Sequence, residues 1–187
     1  SHLAEAIRQN PSKCQYFMIR GEILRGKGDF EGALSAYKAA KEDYDETAGY
    51  YYGIGCCYEG LGQEDPAFQN YLEAVKINDS FRDVNEKLAD LCMERYKRSF
   101  DVREYKKAVR YIDRQVELQE NCYILVHRGL MHRAAMRLQK AIRDFEKALT
   151  YQPEDWAAFN NIGYSLKHMG EYEKSIEMYE KSLEILS

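Results

Sequence analysis

Apolar residues return along the chain at helical spacing, in pairs of short stretches separated by a glycine-containing turn. From Ala48 the stretch carries Tyr51, Ile54, Gly55 and Tyr58, then Gly62, then Ala67, Tyr71 and Ala74. From Trp156 it returns as Phe159, Ile162, Gly163 and Leu166, then Gly170, then Ser175, Tyr179 and Ser182. Steps of three and four residues place each set on one face of a helix, so every unit reads as two helices and a turn. The period is about 34 residues, a length that belongs to stacked arrays rather than to a single globular fold. Five units keep this phase, at 14–47, 48–81, 82–120, 122–155 and 156–187, and residues 1–13 read as the end of a preceding helix closed by Pro11.

Within the first unit, small residues at Gly21, Ala33 and Ala40 let two helices approach, and Phe17, Leu24 and Tyr37 fill the space between them. Gly28, Gly62 and Gly170 fall where the first helix of a pair stops, the position that favours a left-handed backbone. The third unit departs. Its first helix is in register at Leu88 and Ala89, but Tyr105, Ala108 and Ile112 come seven residues late. Seven residues make two helical turns, so each helix lengthens by one turn and the packed faces stay in phase. Asp101 followed by Glu104 reads as a capping box and places the turn at residues 99–101. The fourth unit has Met136 where glycine is usual and His132 in an apolar slot.

The pattern resembles the tetratricopeptide repeat over nearly the whole chain. That resemblance implies an all-α, right-handed superhelical solenoid of antiparallel helix pairs, whose first helices line a concave groove. It also implies a non-catalytic protein–protein interaction module binding a peptide or partner helix in that groove. The matching groove positions are Met18 and Glu22 in the first unit, Tyr52, Cys56 and Glu59 in the second, and Glu86 and Asp90 in the third. The fourth contributes Tyr123, Val126, Leu130 and Arg133, and the fifth Asn160, Asn161, Tyr164 and Lys167. Members that grip the C-terminal carboxylate of heat-shock chaperones need lysines and asparagines where this chain has Met18 and Glu22, Tyr52 and Cys56, or Glu86 and Asp90. That function is therefore not expected. The groove reads as acidic and tyrosine-containing in its middle, more apolar and basic near 126–133, amide-rich at Asn160 and Asn161, and suited to a ligand with a basic and an apolar segment.

Charge sharpens this. The 187 residues carry a formal net charge of −4. Residues 42–86 hold 2 basic against 11 acidic side chains, and residues 87–147 hold 15 against 9. The basic third and fourth units, with their patches around 95–110, keep nucleic-acid binding as one alternative, although a net acidic chain argues against it. The other alternative is a regulatory sensor segment of a larger protein. Apolar ends of such an array also permit a homodimer. No apolar run approaches the length of a membrane span, no secretory leader opens the sequence, and five cysteines without a pairing framework suggest a reducing compartment, so a cytoplasmic location is expected.

No cofactor, metal or catalytic set is expected. Residues 21–28 nearly spell a phosphate-binding loop, but Gly28 stands where a serine or threonine must hold magnesium, and a helix rather than a strand precedes it. The glycines at 53, 55, 60 and 62 have the wrong spacing for a dinucleotide loop. His127 and His132 lie on different faces of one helix, with no cysteine or carboxylate at ligand spacing.

Overall fold

The computed structural model describes residues 13–40 and 47–187; apart from Lys13, the segment read as the end of a preceding helix lies outside them. Among the described residues there are ten α-helices and no strand. They are α1 Lys13–Gly26, α2 Phe30–Ala40, α3 Ala48–Gly60, α4 Glu64–Ile77, α5 Val84–Ser99, α6 Val102–Leu118, α7 Cys122–Ala134, α8 Leu138–Tyr151, α9 Trp156–His168 and α10 Tyr172–Leu186. The chain divides into two compact units, Ser1–Leu91 and Cys92–Ser187, with α5 running from one into the other.

In the first unit α1 pairs with α2 and α3 with α4, and α2 packs on α3. In the second α7 pairs with α8 and α9 with α10, while α8 packs on α9 and α6 on α7. One contact recurs in the pairs. The Tyr71 ring of α4 lies against Gly55 of α3, so closely that a Cβ there would stand 2.6 Å from the ring. Phe145 meets Gly129 in the same way, Tyr179 meets Gly163, and Tyr37 is wedged against both Gly21 and Gly53. Tyr37, Tyr71 and Phe145 are among the largest fully buried side chains.

Turns obey the local chemistry of their residues. Gly28, Gly62 and Gly170 take φ of 81°, 70° and 81°, and Met136 takes 55° at the equivalent place. Each closes its helix through a backbone bond five residues back, such as Asp29 to Leu24 and Arg137 to His132. Thr47, Asn121 and Asp155 cap α3, α7 and α9 by accepting from backbone N–H groups. Asp101 caps α6, but Glu104 does not reach back to complete a box; its Oε1 accepts from Lys107 at 2.6 Å. α5 and α6 run 16 and 17 residues, against 13 and 14 for α3 and α4, and the chain reverses between them at Phe100, whose φ is 53°.

Three stability tests follow from these contacts and turns. Gly55→Ala is expected to destabilise the protein by about 1–2 kcal/mol, ring displacement outweighing the gain in helix propensity. Gly26→Ala, where a Cβ meets nothing within 4 Å, should gain about 0.5 kcal/mol. Met136→Gly should also stabilise, by up to about 1 kcal/mol, because a left-handed backbone is costly for a residue with a Cβ and the Met136 side chain is 60% exposed. Urea titrations of the three variants check the signs.

Candidate functional site

The groove positions of the first unit fall beside two cavities. Met18 and Glu22 line one of about 840 Å³ with Thr47, Gly49, Ile77 and Phe81. Tyr52, Cys56 and Glu59 line another of about 530 Å³, together with Arg25, Asp83 and Lys87. Tyr52 is not the exposed contact surface suggested by its sequence position. It is 7% exposed, packed edge-on against Phe81 and tilted against Tyr71, and its hydroxyl donates to Asp83. Burial, then the bond to Asp83, pushes its pKa far up. Glu59 is held from two sides, by Lys87 at 3.1 Å and by the Tyr71 hydroxyl at 2.5 Å. The Tyr71 oxygen is also 3.4 Å from Cys56 Sγ. Cys57 points the other way, fully buried, and burial pushes its thiol to about 11.

These ties change the electrostatic picture. Glu22 pairs with Arg82 at 3.7 Å, and the Arg82 guanidinium also stands 5.5 Å from the ring centres of Tyr52 and Phe81. Glu22, Glu59 and Asp83 of this unit therefore each meet a cation or a hydroxyl donor and do not form a free negative wall. Glu86 is buried and Asp90 half-buried on α5, so neither is openly displayed.

In the second unit the groove positions of α7 and α9 meet. Arg133 donates to Asn161 Oδ1 at 2.5 Å, and its guanidinium stands 4.9 Å from the centre of the Tyr164 ring. Asn161 is buried and anchored to the backbone carbonyl of Ala157, whereas Tyr164, Asn160 and Lys167 are exposed. Tyr123, 64% exposed, sits tilted against His127. Val126 and Leu130 are half-buried against the cluster of Ile142, Phe145, Ala158 and Ile162, so they floor the surface more than they project from it.

A polar network of the second unit, buried at Asp144 and His132 and open to solvent at Asp113, has no counterpart in the sequence reading. Arg128 donates to Asp144 at 2.6 and 3.0 Å and to Asp113 at 2.8 Å. His132 Nε2 stands 3.6 Å from Asp144, and its Nδ1 is 2.8 Å from the Tyr105 hydroxyl. Only the oddity of a histidine in an apolar slot signalled it. Other cations of the basic stretch also meet carboxylates: Lys97 with Glu94, Arg103 with Asp101, Arg114 with Glu117, and Lys147 with Glu120. Pairing of this kind suits solvated helix faces better than a phosphate-binding strip.

Three matches to family profiles described as tetratricopeptide repeat cover residues 1–49, 48–81 and 156–187. The chain belongs to the tetratricopeptide repeat family. It is an all-α solenoid of antiparallel helix pairs of that kind. A repeat-containing protein of Methanocaldococcus jannaschii is 23% identical over 92% of this chain and 31% of its own length. Superkiller complex protein 3 of Mus musculus is 20% identical over 98% of this chain and 14% of its own. The chain thus spans under a third of these curated relatives. Among solved structures, MamA matches with a TM-score of 0.78 at 22% identity, over 92% of this chain and 91% of that one. YrrB, described as a tetratricopeptide protein with an unusual peptide-binding site, matches at 0.77 and 23%, over 99% and 92%. At these identities the likeness is one of fold. No helix among the described residues is long and apolar enough to cross a membrane.

The network carries a pH signature. Burial lowers the His132 pKa below its ordinary 6.5, opposed by Asp144 and Asp113 and assisted by Lys140 and Arg128. The unfolded chain therefore binds the proton more readily, and stability is lost as pH falls through 6.5 and below. His132→Asn is expected to remove this part of the acid slope, measured as unfolding free energy against pH.

Proposed function

We propose that the chain is a non-catalytic protein-interaction module that binds a peptide or partner helix along the groove-lining faces of its first helices. The observation that carries this reading is the α7–α9 surface, where Tyr123, Asn160, Tyr164 and Lys167 are exposed while Arg133 and Asn161 hold the ground beneath them. Aromatic rings with a polar tip give large contact area at low entropic cost. A surface already braced before binding spends less free energy on ordering. The peptide-binding site named for YrrB supports the same reading by analogy of fold.

A copy of the chain is a second candidate partner, favoured by one observation. α10 leaves Tyr172, Ile176, Leu183 and Leu186 exposed, each by more than half.

The groove reading is tested with side chains whose removal does not open the core. Tyr123→Ala, Tyr164→Ala and Lys167→Ala together should leave the melting temperature nearly unchanged and weaken peptides selected by the wild-type protein by about tenfold or more. Titration calorimetry with those peptides is the measurement, and undiminished affinity would remove the groove from the account.

A further inference from the structure

We infer that the chain associates with a second copy of itself by seating Phe100 in that copy's pocket between α8, α9 and α10. This contact is independent of the groove reading. Phe100 stands at the turn between α5 and α6 and bears two local costs. Its ring is 75% exposed, the highest value for a large apolar side chain among the described residues. Its backbone takes φ of 53°, a conformation that Gly28, Gly62 and Gly170 supply at other turns with no Cβ to crowd. The Tyr96 ring meets it only edge-on, with centres 6.2 Å apart. A ring held where both backbone and solvent oppose it points to a contact beyond the fold. Cations accompany it: residues 97–107 hold five basic against two acidic side chains.

The pocket holds the complement. Its volume is about 370 Å³, and Ile142, Ile162, Leu166 and Met178 give it apolar walls. Glu146, Glu171 and Glu177 line it with a single cation, Lys174, which is paired to Glu171 at 2.6 Å. A phenyl ring entering there leaves water, and the Met178 thioether adds a favourable sulfur–aromatic contact. The same approach brings Arg98 and Arg103 toward the carboxylates. Both are exposed, and the pair of Arg103 with Asp101 at 2.8 Å is a solvated one that exchanges at little cost. Opposite net charges on tip and pocket favour the encounter and orient it. The exposure of Phe100 shows that it does not fill the pocket of its own chain, so the ring is free for another copy. Because the contact joins two different patches, copies make it once in a head-to-tail series or twice about a twofold axis.

The test is sedimentation velocity of the wild-type chain and three variants from about 1 to 100 μM. Phe100→Gly removes the ring and suits the turn, so its melting temperature should not fall. Glu146→Lys with Glu177→Lys reverses the charge of the pocket at two exposed positions. The wild type should associate as concentration rises, and less so at high salt. Each of these two variants should associate about tenfold or more weakly. Mixed together, they should form a one-to-one dimer that neither forms alone, because the ring of one meets the unaltered pocket of the other. Ile176→Ser with Leu183→Ser, on another stripe of α10, should associate as the wild type does. Association untouched by the tip and pocket changes, or a mixture no better than its parts, would overturn the inference. Loss of association in the Ile176 and Leu183 variant alone would overturn it in favour of that stripe as the contact between copies. A wild type that stays monomeric would overturn both, and groove binding, measured with peptides, would stand or fall separately.

Discussion

An aromatic ring pressed on a glycine sets the distance between paired helices, and the rest of the architecture depends on it. Tyr71 on Gly55, Phe145 on Gly129 and Tyr179 on Gly163 are three versions of one contact, with clearances for a Cβ of 2.6, 2.7 and 3.2 Å. The series loosens toward the last pair, where Tyr179 is half-buried rather than fully enclosed. Burying a ring of this size supplies much of the driving force for a helix too short to persist alone. Because the ring fills the space a side chain would take on the facing helix, the helices settle in one axial register. Groove side chains on the first helix then fall at fixed places.

That contact was legible in the sequence, since its two partners recur at constant offsets and each offset has a steric meaning. Gly28, Gly62 and Gly170 were legible for the same reason, and Met136 stands in their conformation because the turn, not the side chain, dictates it. The third pair's turn could be read from Asp101, a local signal. Glu104 could not be read so easily. Its reach back to the cap competes with Lys107 one helical turn ahead, and the pair to Lys107 wins.

Polar partners resisted sequence reading because their separations carry no period. Tyr52 and Asp83 are 31 residues apart, Glu59 and Lys87 28, and Arg128 and Asp113 15. Counting charges along residues 42–86 suggested an acidic wall, yet Arg82, Lys87 and Tyr52 bring a cation or a donor to Glu22, Glu59 and Asp83. Repeat phase says which face a side chain occupies. It does not say whether a neighbour from the next helix has already claimed it. Tyr52 shows the consequence: its position is that of a groove residue, and its ring belongs to the packing.

The polar network of the second unit shows how such a claim can be made in the core. Arg128 spends two bonds on Asp144 and one on Asp113, so α7 is tied at once to its pair mate α8 and to α6 before it. Burial opposes the Arg128 charge, and the bonds to Asp144 and Asp113 more than offset it, leaving its pKa raised. An apolar trio of similar volume could stabilise as much, but it would accept several rotations of α7 about its axis. A guanidinium shared between two carboxylates accepts few. Fixing that rotation also fixes where Tyr123 and Arg133 emerge and how Val126 and Leu130 floor the surface, since all four belong to the same helix. The network thus links a polar cost in the interior to the placement of the surface on which binding is proposed.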